Sequence, residues 1–96
     1  MSKIDKLIER FKSKPKDFSY NELMKILSSF GYIESNSGKS SGSRVAWIHS
    51  ETNHIIRLHK PHPSNILKSY QVNQILDELK SEGYIQWKIL SNIMAF

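Results

Sequence analysis

Apolar residues recur at helical spacing in three stretches of the chain. Ile4, Leu7, Ile8 and Phe11 fall at i, i+3, i+4 and i+7. Leu23, Ile26, Leu27 and Phe30 repeat that spacing, and Val72, Ile75, Leu76 and Leu79 repeat it again. The flanking residues agree with each stripe. Ser2 and Asp5 resemble a capping box and Pro15 stops the first stripe, which predicts a helix over residues 2–13. Ser19-Tyr20-Asn21-Glu22 is a full capping box, and Gly31 stands where a left-handed residue closes a helix, which predicts a helix over 19–30. A third helix runs from about Ser69 to Glu82, with Asn73, Gln74, Asp77 and Glu78 on its polar side and Gly83 after it. Nothing else recurs with the stripes, so they are not a sequence repeat.

The period changes between the second and third helices. Val45 to His49 and His54 to His59 read as two strands joined by the polar turn Ser50-Glu51-Thr52-Asn53. That loop length fixes a register: Ile48 opposite Ile55, Ala46 opposite Arg57, Arg44 opposite His59. One face then carries Val45, Trp47, Ile56 and Leu58, with His49 and His54 at the turn end. The other carries Arg44, Ala46, Ile48, Ile55, Arg57 and His59. A slip of one residue would turn Trp47 and Leu58 outward, so the first face is assigned to the core. Residues 32–35 predict a further short strand, residues 36–42 a plain flexible loop, and Pro61 and Pro63 the end of the hairpin. The apolar tail after Gly83 has three open fates: an extra strand, packing back on the core, or a dimer interface.

The expected fold class is α+β. Its centre is an α-β-β-β-α unit, a three-stranded antiparallel sheet with helices on one face, preceded by an extra N-terminal helix. That order is similar to the order of double-stranded-RNA-binding domains. The chain divides into a basic amphipathic helix (1–16), the central unit (18–85) and an apolar tail (86–96). The N-terminal stripe must dock on this domain or on a second chain, so a dimer through that helix or the tail stays open.

Charge sharpens the picture. The formal net charge is +5, and it is unevenly placed. Residues 1–16 hold six Lys/Arg against two acids, and residues 39–68 hold five against Glu51 alone. Two basic blocks point to a polyanionic partner such as RNA, or to a surface that keeps the protein soluble. There is no cysteine, which excludes disulfides and thiolate metal sites and matches a reducing cytoplasm, the expected location. No apolar run approaches the roughly 20 residues that span a bilayer, and no signal peptide is visible, so no membrane partner is expected.

The run from Phe18 to Ile85 resembles the HicA family of bacterial toxins. The matching features are a capped helix ending Phe30-Gly31-Tyr32, a loop ending Gly42-Ser43 and a two-stranded hairpin. Pro61-His62-Pro63 follows, and then Ile66-Leu67-Lys68 before the last helix. The resemblance implies a small ribosome-independent toxin that cleaves mRNA and is held inactive by a HicB-like antitoxin protein. It also implies a catalytic histidine directly after the Gly-Ser. In this chain that position is Arg44.

The residues themselves suggest a replacement. Cleavage of RNA by its own 2′-OH needs a proton acceptor, a proton donor for the leaving oxygen and a cation on the phosphate. On the hairpin register His59 sits across from Arg44, so His59 is the candidate general acid or base, with Arg44 and Arg57 on the phosphate. His62 is the second catalytic candidate, or a loop histidine that shapes the site. Lys39, Gly42, Ser43, Lys60 and Lys68 complete the expected RNA contacts. His49 and His54 are expected as a surface pair beside the turn. Trp47 has a face that stacks bases, but its parity assigns it to the core. His59-x-x-His62, even with His54, has too few converging ligands for a divalent ion, so no metal and no cofactor are expected. Three readings stay open: an endoribonuclease, a non-catalytic RNA-binding module of the same fold, and a basic domain that binds an acidic protein.

Overall fold

The computed structural model describes residues 2–35, 44–61 and 63–85. Three helices, α1 (Lys3–Lys12), α2 (Tyr20–Ser29) and α3 (Ser69–Ser81), accompany three strands, β1 (Tyr32–Ser35), β2 (Arg44–His49) and β3 (Ile55–His59). The chain order is α-α-β-β-β-α, and the strands form one antiparallel sheet in the order β1-β2-β3. This is the expected α+β arrangement, compatible with a double-stranded-RNA-binding-domain-like fold. The hairpin register is also the expected one: Ile48 pairs with Ile55, Ala46 with Arg57 and Arg44 with His59.

Local chemistry sets the helix ends. The Ser19 hydroxyl accepts from the Glu22 N–H at 3.1 Å, and the Glu22 carboxylate accepts from the Ser19 N–H at 2.9 Å, so two orphan donors of α2 are satisfied reciprocally. Ser2 caps α1 by accepting from the Asp5 N–H. Gly83, at φ +86°, ends α3: its N–H bonds the Lys80 carbonyl and the Tyr84 N–H bonds the Leu79 carbonyl. That pair of bonds is a Schellman closure, which needs a residue free to adopt positive φ.

Tyr32, Val45, Trp47, Ile56 and Leu58 from the sheet meet Leu23, Ile26 and Leu27 of α2 and Val72, Ile75, Leu76 and Leu79 of α3 in one core. The N-terminal stripe docks on this same body. Phe11 is fully buried with its ring 4.9 Å from that of Phe18, and Ile4, Leu7 and Ile8 pack against the core from outside. Arg10 fastens the junction, 2.8 Å from Asp17 and 3.5 Å from Glu22. Backbone bonds from the Tyr20 N–H to the Asn65 carbonyl and from the Leu67 N–H to the Phe18 carbonyl tie the start of α2 to the approach of α3. The helices therefore sit on one face of the sheet. The first two residues of the tail, Tyr84 and Ile85, pack back on the core, Ile85 within it and Tyr84 against it. The rest of the tail (86–96) and the loop over 36–42 lie outside the described residues.

Candidate nucleic-acid interface

The sheet face turned away from the helices carries Ile33, Ile48 and Ile55 toward the turn end, the Ala46–Arg57 pair next, and Arg44 and His59 at the open end. Strand alternation makes the division. The odd positions of β2 and the even positions of β3 enter the core, and the rest project outward. Arg44, Arg57 and His59 are all exposed. They line a shallow cavity of about 460 Å³ together with Ser35, Val45, Ala46 and Leu58. Among the described residues, no carboxylate pairs with any of the three side chains. Two guanidiniums without counter-charge beside an imidazole form a surface suited to phosphate: the forks supply bidentate donors, and the ring supplies a proton carrier.

The remaining candidates divide. Lys60 turns to the helix side, its ammonium 3.9 Å from Glu34 and 5.7 Å above the Tyr20 ring, so the fold does not bring it to Arg44, Arg57 and His59. There it joins a relay in which the Trp47 indole N–H donates to the Tyr20 hydroxyl at 3.1 Å and that hydroxyl donates to Glu34 at 2.8 Å. Burial, then the Glu34 hydrogen bond, push the Tyr20 phenol above the usual tyrosine range, against an opposing pull from Trp47. Lys68 is exposed at the N-terminus of α3. Lys39, Gly42, Ser43 and His62 lie outside the described residues.

The expectation of a surface pair at His49 and His54 is overturned. His49 is only 4% exposed. Its Nδ1 accepts from the Glu51 and Thr52 N–H groups, so the ring proton stands on Nε2, which donates to the Phe30 carbonyl at 2.8 Å. One imidazole thus closes the hairpin turn and the end of α2. Its parity with Val45 and Trp47 already placed it on the core face, and that signal outweighed its polarity. Gly31 makes room for it: at φ +100°, a Cβ there would stand 2.9 Å from His49 Nε2.

His54 is half-buried and braces three elements. Its Nδ1 is 2.7 Å from the Tyr32 hydroxyl, and its Nε2 is 3.3 Å from Glu78 and 3.9 Å from Glu82. The Tyr-His-Glu order has the look of an activated hydroxyl, but Tyr32 is only 2% exposed, shut off from solvent. Burial, followed by Tyr84, Glu82 and Glu78, drives its phenol up rather than down, away from the ionised form a nucleophile needs.

Sequence reasoning missed Gln71. It lies in the buried stripe of α3, 5% exposed, and its side-chain N–H donates to the His59 carbonyl at 2.8 Å. A polar residue beside Val72 in an apolar stripe was the available signal.

No helix among the described residues is long and apolar enough to cross a membrane. No curated protein and no solved structure gives a significant match to the chain. A family model described as HicA toxin of bacterial toxin-antitoxin matches residues 20–80, a range that holds α2, the whole sheet and most of α3 and leaves α1 outside. With that match over more than half its length, the chain belongs to the HicA family of bacterial toxins.

Proposed function

We propose that this toxin is a ribosome-independent endoribonuclease that cleaves mRNA in the cytoplasm on the open face of its sheet. The observation that carries the reading is the pairing of Arg44 with His59 at the end of β2–β3, with Arg57 on the same face and no carboxylate against any of them among the described residues. Arg44 and Arg57 hold the non-bridging phosphate oxygens and offset the charge that builds there as the 2′-oxygen bonds to phosphorus. His59 takes the proton from that 2′-OH. The bond from phosphorus to the 5′-oxygen then breaks, and the departing oxygen takes a proton from a second carrier, for which His62 is the candidate. The products are a 2′,3′-cyclic phosphate and a free 5′-OH. Lys68, together with Lys39, Gly42 and Ser43, is assigned to the RNA backbone. A HicB-like antitoxin protein neutralises the toxin.

A second reading is a non-catalytic RNA-binding module. It is favoured by Arg44 itself, which stands where the family resemblance calls for the catalytic histidine. Induced expression in bacteria separates the two. The endoribonuclease reading predicts growth arrest with mRNA loss for the wild type and neither for His59→Ala. A folded, harmless wild type would leave the binding module in its place.

A further inference from the structure

Gln71 is a buried amide with two partners on different elements. Its Oε1 accepts from the Lys68 N–H at 3.0 Å, and its Nε2 donates to the His59 carbonyl at 2.8 Å. Only one orientation of the amide satisfies both, because Lys68 offers a proton and His59 offers a lone pair. The first bond caps α3 from within. The second reaches the last residue of β3, the one whose side chain stands on the open face beside Arg44. Beyond His59 the strand ladder stops, and Lys60 already turns to Glu34 and Tyr20. An apolar residue would fill the same place in the stripe with no polar group to satisfy, but it would leave the strand end without this donor.

We infer that Gln71 is a positioning residue for the RNA site: it fixes the end of β3, and with it the His59 side chain, relative to Arg44 and to Lys68. The inference rests on the site proposed above. Two of that site's members, His59 and Lys68, hang on this one amide, one through its carbonyl and one through its N–H. Gln71 touches no RNA. It sets the angle at which the imidazole meets the phosphate held by the arginines, and small errors in that angle slow a reaction without weakening binding.

The test is Gln71→Glu, which keeps the acceptor for Lys68 and removes the donor to His59, so helix capping and strand positioning are separated. The exposed Gln74→Glu on the same helix is the charge control. The expected result is a fold and an RNA KM within about two-fold of wild type, a kcat lowered at least ten-fold, and displaced NMR resonances of the His59 ring. Gln74→Glu changes none of these. Wild-type kcat and unshifted His59 resonances in Gln71→Glu would overturn the inference. The NMR arm needs no cleavage: if the wild type proves inactive on RNA, the function reading fails while the His59 resonances still decide the role of Gln71. Should Gln71→Glu not fold, hydrogen exchange of the Gln71 side-chain amide in the wild type decides instead. Slow exchange is expected, and exchange at the rate of an exposed glutamine would overturn it.

Discussion

Arg44 and His59 stand directly opposite each other on neighbouring strands, the last pair of the β2–β3 ladder. The Ala46–Arg57 pair lies two residues inside it on the same face. The arrangement gathers three nitrogen-rich side chains at one end of the sheet face opposite the helices. Single substitutions Arg44→Ala and Arg57→Ala should each weaken RNA binding at low salt and reduce the slope of log K against log salt by about 0.7, the loss of one phosphate contact on a single strand. Their stability should stay within about 0.5 kcal/mol of wild type, since both side chains are exposed. Fluorescence titration across a salt series, with thermal melts alongside, checks both parts.

His49 predicts the opposite behaviour. Replacing it with Ala removes the acceptor for two turn N–H groups and the donor to the Phe30 carbonyl. The expected cost is about 2–4 kcal/mol, from the lost bonds and the space left behind. RNA binding by the molecules that remain folded should be unchanged. Gly31→Ala should cost about 1–3 kcal/mol through the strained φ and the close approach to the same imidazole. Chemical denaturation with binding measured on the folded fraction tests the pair.

The N-terminal helix lies outside the family match yet is integral to this body. Phe11→Ala should destabilise the whole domain by about 3–5 kcal/mol in a single cooperative transition. A transition that splits in two, with α1 melting first, would show that its docking is peripheral.

Stability should also fall at high pH. Tyr20 and Tyr32 are both held above the ordinary tyrosine value, chiefly by burial. In the unfolded chain each phenol ionises near pH 10, whereas in the folded chain it keeps its proton. The folded state therefore binds more protons above that pH, and stability declines as pH rises. Below pH 10 the two tyrosines add no pH dependence. Tyr20→Phe and Tyr32→Phe should each flatten the alkaline decline, measured by urea titration from pH 8 to pH 11.

The parts legible in the sequence are those governed by local chemistry and parity. The capping box at Ser19–Glu22, the glycine stops and the three stripes marked the helices. The four-residue turn fixed which residues of the hairpin face one another, and so set Arg44 opposite His59. What stayed hidden depends on tertiary partners. Polarity put His49 on the surface against its strand parity with Val45 and Trp47. A buried imidazole is stable there because the backbone groups of Phe30, Glu51 and Thr52 converge on it, and the Phe30 carbonyl comes from a different element. Lys60 was expected among the RNA contacts, yet Glu34 and the Tyr20 ring draw it to the helix side. Gln71 was hidden because its partner, the His59 carbonyl, belongs to a different element.

The most direct test of the central claim is incubation of purified protein with an end-labelled mRNA fragment, comparing wild type with His59→Ala and measuring RNA affinity on the same preparations. The account predicts cleavage to products with 2′,3′-cyclic phosphate ends by the wild type, none by His59→Ala, and affinities within a few-fold of each other. Equal cleavage by the two proteins, or RNA binding without cleavage by a folded wild type, would contradict it.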